Sequence, residues 1–392
     1  MSNPDITIVL GIRPDVIRAS LVLKMLKSNP SIDFRFVWSG QHYSDNLKDV
    51  FFRELEIPQP DIQFEAEGEN DAEVSGKILI NLYKELSINR PKAVVFLGDT
   101  NTVLGCIAAA QLNIPIIHIE GCMRSYDWRM PEEKCRTVID NLSDVIYTYF
   151  PEYKLQGIAE GLAPKRIVVI QNLIVDVLNH YYFPKISEYE EIAEIFLEKA
   201  QITGDFYLAT AHRRENVENP EALQSIFELF SELELPVIFP ASYRTQKNII
   251  KFKMKLPQNV KMIDPIGYKD MLALMGASKA VVTDSGTVVE ETAVIGVPSV
   301  QMRKATERPQ TYDCLSSVKF DPQIDLPKVV ITKLKKIENT TWSHHLGDGN
   351  ASKRLVNDLL QRLKNVNGFG THKPEDYHVP VERSFQSDGL DF

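Results

Sequence analysis

Several kinds of residue pattern are missing from this 392-residue chain, and each absence removes a class of protein. No run of about eighteen consecutive apolar residues occurs, so a membrane-spanning helix is not expected. The opening MSNPDITIVL lacks a basic stretch, an apolar core and a small-residue cleavage site, so the expectation is a cytoplasmic protein. Basic residues are outnumbered, 44 Lys and Arg against 53 Asp and Glu, for a net charge of −9. They are not gathered into a patch, which disfavours a nucleic-acid partner because phosphate backbones are held by clustered cations. Cysteine is scarce: Cys106, Cys122, Cys135 and Cys314 form no CxxC pair and no metal-ligand spacing. Four free thiols and no metal are expected. The first strand-to-helix turn, LGIRPDVIRAS, has no GxGxxG, which disfavours a dinucleotide and leaves no cofactor indicated.

What is present is the composition of an ordinary globular protein, 44% hydrophobic and 25% charged, long enough to bury two cores. Short apolar runs alternate with helical periodicity. Ile6 to Leu10, Phe34 to Trp38, Ala93 to Leu97, Ile114 to Ile119, Asp144 to Thr148 and Arg166 to Ile170 read as strands. Helices are expected from Pro14 to Lys27 and from Asn101 to Leu112. After a mostly helical stretch, Asn172 to Ala200, the alternation restarts with strands at Phe206 to Ala211, Pro236 to Phe239 and Lys279 to Thr283. Asn219 followed by Pro220 is the expected start of a helix. Alternating strands and helices imply βαβ units and parallel sheets. The expected fold is therefore α/β: two doubly wound Rossmann-like domains facing a central cleft. The domains are placed at residues 1–172 and 173–350. A helix around Lys353 to Leu363 and a Gly/Pro-rich tail, residues 351–392, are expected to pack back on the first domain or to be loosely ordered.

Ligands of such sheets lie at the carboxyl ends of the strands, so the loops there carry the functional reading. Arg13, beside a helix start, reads equally as a surface cation and as a phosphate clamp. Asp99 ends a buried strand in FLGDTNT, and its bland reading is a helix cap. Glu120 closes another strand, and Glu132 and Glu133 open a helix, a place where carboxylates also serve simply to complement the helix dipole. Asp99, Glu120 and Glu132 converging on one site would raise at least one pKa into a range useful for proton transfer. His212, Arg213 and Arg214 end a strand and read as an anion site. In VVTDSGTVVEETAVIG, Ser285, Gly286 and Thr287 suit a phosphate at a helix N-terminus, and Glu290 or Glu291 suits ribose hydroxyls.

Six motifs stand together in one order: GxRPxxIR at Gly11 to Arg18, GDTNT at Gly98 to Thr102, HIEG…RMPEE at His118 to Glu133, HRREN at His212 to Asn216, DSG…EE at Asp284 to Glu291 and ERPQT at Glu307 to Thr311. With them the chain resembles the non-hydrolysing UDP-N-acetylglucosamine 2-epimerases over essentially its whole length. The resemblance implies the two-domain, GT-B-like architecture of many sugar-nucleotide glycosyltransferases. It implies a UDP-sugar substrate, no cofactor, and a homodimer acting in polysaccharide synthesis. It also implies elimination of UDP to a 2-acetamidoglucal and readdition with C2 inverted. Asp99, Glu120, Glu132 and His212 take catalytic roles by this resemblance. Arg13, Arg18, Arg136, Arg213, Ser285, Gly286, Thr287, Glu291 and Arg308 take the UDP-sugar.

Departures from the family pattern fall at Arg18, where Lys is usual, at Gly121-Cys122 for Ala-Gly, and at Thr287 for a second Gly. GQHYSDNLKDVFF and DSGTVVEE look more like the branch acting on 6-deoxy or 2,3-diacetamido uronic sugars. The rest of a second, regulatory UDP-sugar site around Gln41 and His42 is not evident, so allosteric activation is not expected. A hydrolysing epimerase, a glycosyltransferase of the same fold and a non-catalytic UDP-sugar-binding regulator are the rival readings.

Overall fold

A computed structural model describes residues 3–41, 51–365 and 368–369. His42, most of the GQH loop and nearly all of the tail after the last helix lie outside the described residues. The chain divides into two compact units. The first takes residues up to 41, Glu56–Leu173 and the chain from Asn350 on. The second is Ile174–Gly349 together with residues 51–55.

The first unit is built on a seven-stranded sheet whose pairs are all parallel: β1 (Ile6–Leu10), β2 (Phe34–Trp38), β3 (Ile62–Gln63), β4 (Ala93–Leu97), β5 (Ile116–Ile119), β6 (Val145–Thr148) and β7 (Ile167–Val169). Its order is β3-β2-β1-β4-β5-β6-β7. β4 is an unbroken apolar run, and β1 is one but for Thr7, because helices cover both faces of a parallel sheet, and all their residues are buried. Val9, Val94, Phe96 and Ile116 join Leu82 and Leu86 of the helix Asp71–Ile88 in one core. That helix starts where Asn70 accepts from the Glu73 amide, an ordinary side-chain cap. The last helix, Ala351–Lys364, packs on the helix Arg13–Lys27 and is tied to β6 by the Tyr147 hydroxyl donating to Asp358 at 2.8 Å.

The expected single helix from Asn101 to Leu112 is two pieces, a 3-10 turn at Asn101–Gly105 and an α-helix at Cys106–Gln111. Close packing supplies the reason. A side chain at Gly105 would come within 2.9 Å of Leu82 and 3.3 Å of Phe96, so the chain approaches its neighbours there with no room for a wider turn.

The second unit repeats the winding with six parallel strands, β8 (Tyr207–Thr210), β9 (Val237–Pro240), β10 (Val260–Ile263), β11 (Ala280–Thr283), β12 (Ser299–Met302) and β13 (Ser317–Phe320), in the order β10-β9-β8-β11-β12-β13. The helix Pro220–Ser231 starts as the Asn219-Pro220 pair indicates, with Asn219 accepting from the Glu221 and Ala222 amides. It buries Leu223, Ile226, Phe227 and Phe230 against the sheet. Each such side chain contributes about 1.5–3 kcal/mol by leaving water. In both sheets the strand order reverses between two neighbours, β1 and β4 in the first and β8 and β11 in the second. Ligands of open α/β sheets lie at the carboxyl ends there.

Candidate active site

In the first unit, the turn after β1 enters the helix Arg13–Lys27 with no side-chain cap. Arg13, half-buried, is its first residue. One turn on, Arg18 is buried and donates to two carboxylates: Nη1 to Glu120 Oε2, and Nη2 to Asp15 Oδ1 at 3.0 Å. Glu120 sits just past β5 with φ of +77°, a left-handed conformation disfavoured for any residue but glycine. A second donor, the hydroxyl of the fully buried Tyr149 just past β6, reaches the same Oε2 at 3.0 Å.

Asp15 has no exposed surface. Burial lifts its carboxyl to about 7, against the pull of Arg18 and with the help of nearby Asp99. Gly98, which launches Asp99 from β4, has φ of +86° and would bring a side chain within 2.9 Å of Asp15. Asp99 pairs with the buried Arg136, whose Nη1 also donates to Glu133 at 3.1 Å. Glu133 in turn accepts from the Ser125 amide and hydroxyl and the Tyr126 amide, which ties down the loop before the helix Pro131–Leu142. Glu132 is half-buried at that helix start. The Cys135 thiol is pushed up to about 12 by burial first and then by the charges of Asp99 and Glu132. Underneath, the buried His118 bridges Asp140 at 2.7 Å and the Gly98 carbonyl at 2.8 Å, and Asp140 also accepts from the Cys122 amide.

The first unit thus brings Arg18 and Glu120 together, sets Asp15 near Asp99, and joins Asp99 to Arg136. Asp15, Glu133, His118 and Tyr149 belong to this network and were not singled out from sequence for it. Glu133 reads as a helix-opening acid, Asp15 was not singled out at all, and His118 was quoted only as part of a motif. Tyr149 carried one usable signal, its place just past a strand's carboxyl end.

The second unit's cluster surrounds Asp284, fully buried past β11. Its carboxylate accepts from the His212 and Arg213 amides at 2.9 Å each and from the Asn216 side chain at 3.1 Å. These donors, with the His212 ring, hold it well below the usual carboxylate range even though burial pushes the other way. His212 Nδ1 lies 2.9 Å from Asp284 Oδ1, so the ring donates there and its Nε2 faces outward on a half-exposed side chain. Arg213 Nε donates to the Asp284 carbonyl at 2.9 Å.

Ser285 caps the helix Gly286–Ile295, accepting from the Val288 amide, with Thr287 buried in its first turn. Arg308 lies across that N-terminus. A side chain at Gly286 would come within 2.5 Å of its Nη1. Arg308 is held by Glu307 and, at 3.0 Å, by Glu290. Glu291 is buried and accepts from the Tyr268 hydroxyl at 2.8 Å. A helix N-terminus with two guanidinium groups and an imidazole at the switch point of a parallel sheet is suited to a phosphorylated ligand.

Two doubly wound parallel sheets, one with arginine-paired carboxylates at its switch point and one with a basic helix N-terminus at its own, define an α/β enzyme of GT-B-like architecture. The chain belongs to the UDP-N-acetylglucosamine 2-epimerase family, whose model matches residues 24–360. A UDP-N-acetylglucosamine 2-epimerase of Methanocaldococcus jannaschii is 35% identical over 90% of this chain and 98% of its own length. A UDP-2,3-diacetamido-2,3-dideoxy-D-glucuronate 2-epimerase of Pseudomonas aeruginosa is 33% identical over 90% and 98%. The crystal structure of the M. jannaschii enzyme in complex with UDP-GlcNAc and UDP superposes with a TM-score of 0.84, at 32% identity over 91% of this chain and 99% of that one. Among the described residues no helix is long and apolar enough to cross a membrane.

Proposed function

We propose that this chain inverts C2 of a UDP-linked 2-acetamido sugar without hydrolysing it, acting in the cytoplasm as a homodimer in the supply of sugar nucleotides for surface polysaccharide. C2–H is not adjacent to a carbonyl, so direct deprotonation has a prohibitive barrier. Loss of UDP from C1 solves this. The C1–O bond breaks as a carboxylate takes the C2 proton, giving a C1=C2 double bond and UDP. A proton then enters C2 from the opposite face while the UDP oxygen re-forms the bond to C1.

The observation that carries this reading is the pair of carboxylates, Asp99 and Glu120, each held by its own buried arginine at the strand ends of one sheet. The two buried guanidinium groups fix both side chains in place. Glu132, at the start of the helix Pro131–Leu142 and electrostatically coupled with Asp99 to Cys135, is a third proton-handling group for the other ring face. In the second unit, His212, Arg213, Arg308 and the amides of Gly286 and Thr287 hold the diphosphate, Ser285 caps them, and Glu291 holds the ribose. Arg13 completes the grip on phosphate. Arg18 and Arg136 act on the sugar end through the carboxylates they pair with.

The test is proton NMR of the protein with UDP-N-acetylglucosamine in D2O and no cofactor. Deuterium at C2 of an intact UDP-sugar, with a manno product, is expected. Free sugar plus UDP would instead indicate a hydrolysing enzyme, and transfer to an added acceptor a glycosyltransferase. The 33% identity to the P. aeruginosa diacetamido-glucuronate enzyme favours one variant reading, the same chemistry on a 2,3-diacetamido uronate. Exchange with that UDP-sugar and none with UDP-N-acetylglucosamine would establish it.

A further inference from the structure

We infer that Tyr149 is a positioning residue for the proton-transferring carboxylate of Glu120, fixing its Oε2 beside Arg18 and favouring its ionised form. The inference rests on the proposed role of Glu120 and goes beyond it. The Tyr149 hydroxyl and Arg18 Nη1 meet on one oxygen, Oε2. A guanidinium can only donate, and the tyrosine hydroxyl donates to the same atom. Two such bonds fix Oε2 in place and favour the charged form of the carboxylate.

The hydrogen bond spans 29 residues of sequence and three elements: Arg18 on the helix Arg13–Lys27, Glu120 past β5 and Tyr149 past β6. Charged groups of this network also include Asp15, which shares Arg18, Asp99, which faces Asp15 from the end of β4, and Arg136 with Glu133, which pair in turn with Asp99. Two features set this contact apart from a buried hydroxyl that merely finds an acceptor. Glu120 is held in a left-handed backbone, φ +77°, that aims its side chain. The tyrosine ring is also anchored independently of its hydroxyl, packing edge-on against Phe150 with ring centres 6.3 Å apart. Removing the hydroxyl therefore leaves the ring in place.

The substitution Y149F tests this. A donor to an ionised acceptor favours the charged form, so its loss raises the carboxyl's pKa, and a charge-assisted bond is worth about one pH unit or more. The expected result is a Glu120 side-chain carbon resonance, identified by its loss in E120Q, that titrates about one unit higher in Y149F than in wild type, with unchanged circular dichroism. The acid limb of kcat/KM is expected to move to higher pH by the same amount, with kcat at neutral pH down about tenfold and KM within twofold. A Glu120 resonance that titrates unchanged in Y149F overturns the inference, whatever happens to thermal stability. A carboxyl that moves while the rate profile stays put, with E120Q still active, is the separate failure: it removes Glu120 from the proton transfer and leaves the hydrogen bond standing.

Discussion

Asp15 is buried without exposed surface in the first turn of its helix, and its carboxyl is lifted from an ordinary 3.8 to about 7, mostly by loss of water. Between about pH 4 and 7 the folded chain therefore keeps a proton that the unfolded chain has lost, so this residue makes stability fall as pH rises through that window. The full effect corresponds to roughly 4 kcal/mol. D15N removes the titration. Urea unfolding at pH 4.5, 6 and 7.5 is expected to show the variant gaining on wild type by up to that amount across the series, and a constant gap would refute it. Asp284 has the opposite sign. Its folded value is depressed, so its contribution is present above about pH 4 and is lost as pH falls through the folded value. D284N leaves four donors, the His212 and Arg213 amides, the Asn216 side chain and the His212 ring, competing for one oxygen, and a loss of about 3 kcal/mol at pH 7 is expected from chemical unfolding. Sequence could place Asp284 at a strand end and Asp15 in a first turn. It could not show that either is sealed from water, because burial here comes from β4, β8 and helix residues distant in the chain.

The helix Gly286–Ile295 separates the demands of binding from those of folding at its two ends. At its start, Gly286 gives Arg308 room to lie across the N-terminal amides, and a methyl there would sit 2.5 Å from Nη1. G286A is expected to displace Arg308 and weaken UDP binding about tenfold by calorimetry, the loss of one charge-assisted contact. At its end, Gly296 adopts φ of +94° as the left-handed cap. G296A is expected to cost about 1 kcal/mol of stability and leave UDP affinity within twofold, because the strain is local.

The elements legible in sequence were those with one dominant signal. The strands β1, β2 and β4 are bounded to the residue, β4 by an unbroken apolar run and β1 and β2 by runs of five broken only by Thr7 and Arg35, and the Asn219-Pro220 start is read directly. β3 is two residues long, and β10 and β13 mix charge into partly exposed strands, so no apolar run announced them. The helices Asp71–Ile88 and Tyr243–Lys251 went unassigned although each has an Asx or Ser cap. Their apolar faces are thin, three buried residues in eighteen for the first, so periodicity alone was weak.

At the scale of the whole molecule, both units use the same winding, and in each the two strands at the switch point lead into much of that unit's polar cluster: β1 and β4 into Arg13, Asp15, Arg18 and Asp99, with Glu120 following β5, and β8 and β11 into His212, Arg213, Asp284 and Ser285. The division of labour proposed here, proton transfer in one unit and the grip on UDP in the other, follows from which side chains those shared positions hold. Each unit has its own core, with Phe96, Ile116 and Leu82 at the centre of one and Phe227, Phe230 and Phe239 at the centre of the other. Two cores of this size are expected to unfold as two cooperative transitions in scanning calorimetry. A ligand stabilises only the state it binds, by about 2.7 kcal/mol at a hundred times its dissociation constant. UDP without sugar is therefore expected to raise the transition of the second unit by a few degrees and leave that of the first within a degree. G286A should cut the UDP-induced rise. If UDP raises both transitions equally, the diphosphate is held by both units and Arg13 carries more of the grip than the second unit's geometry assigns to it.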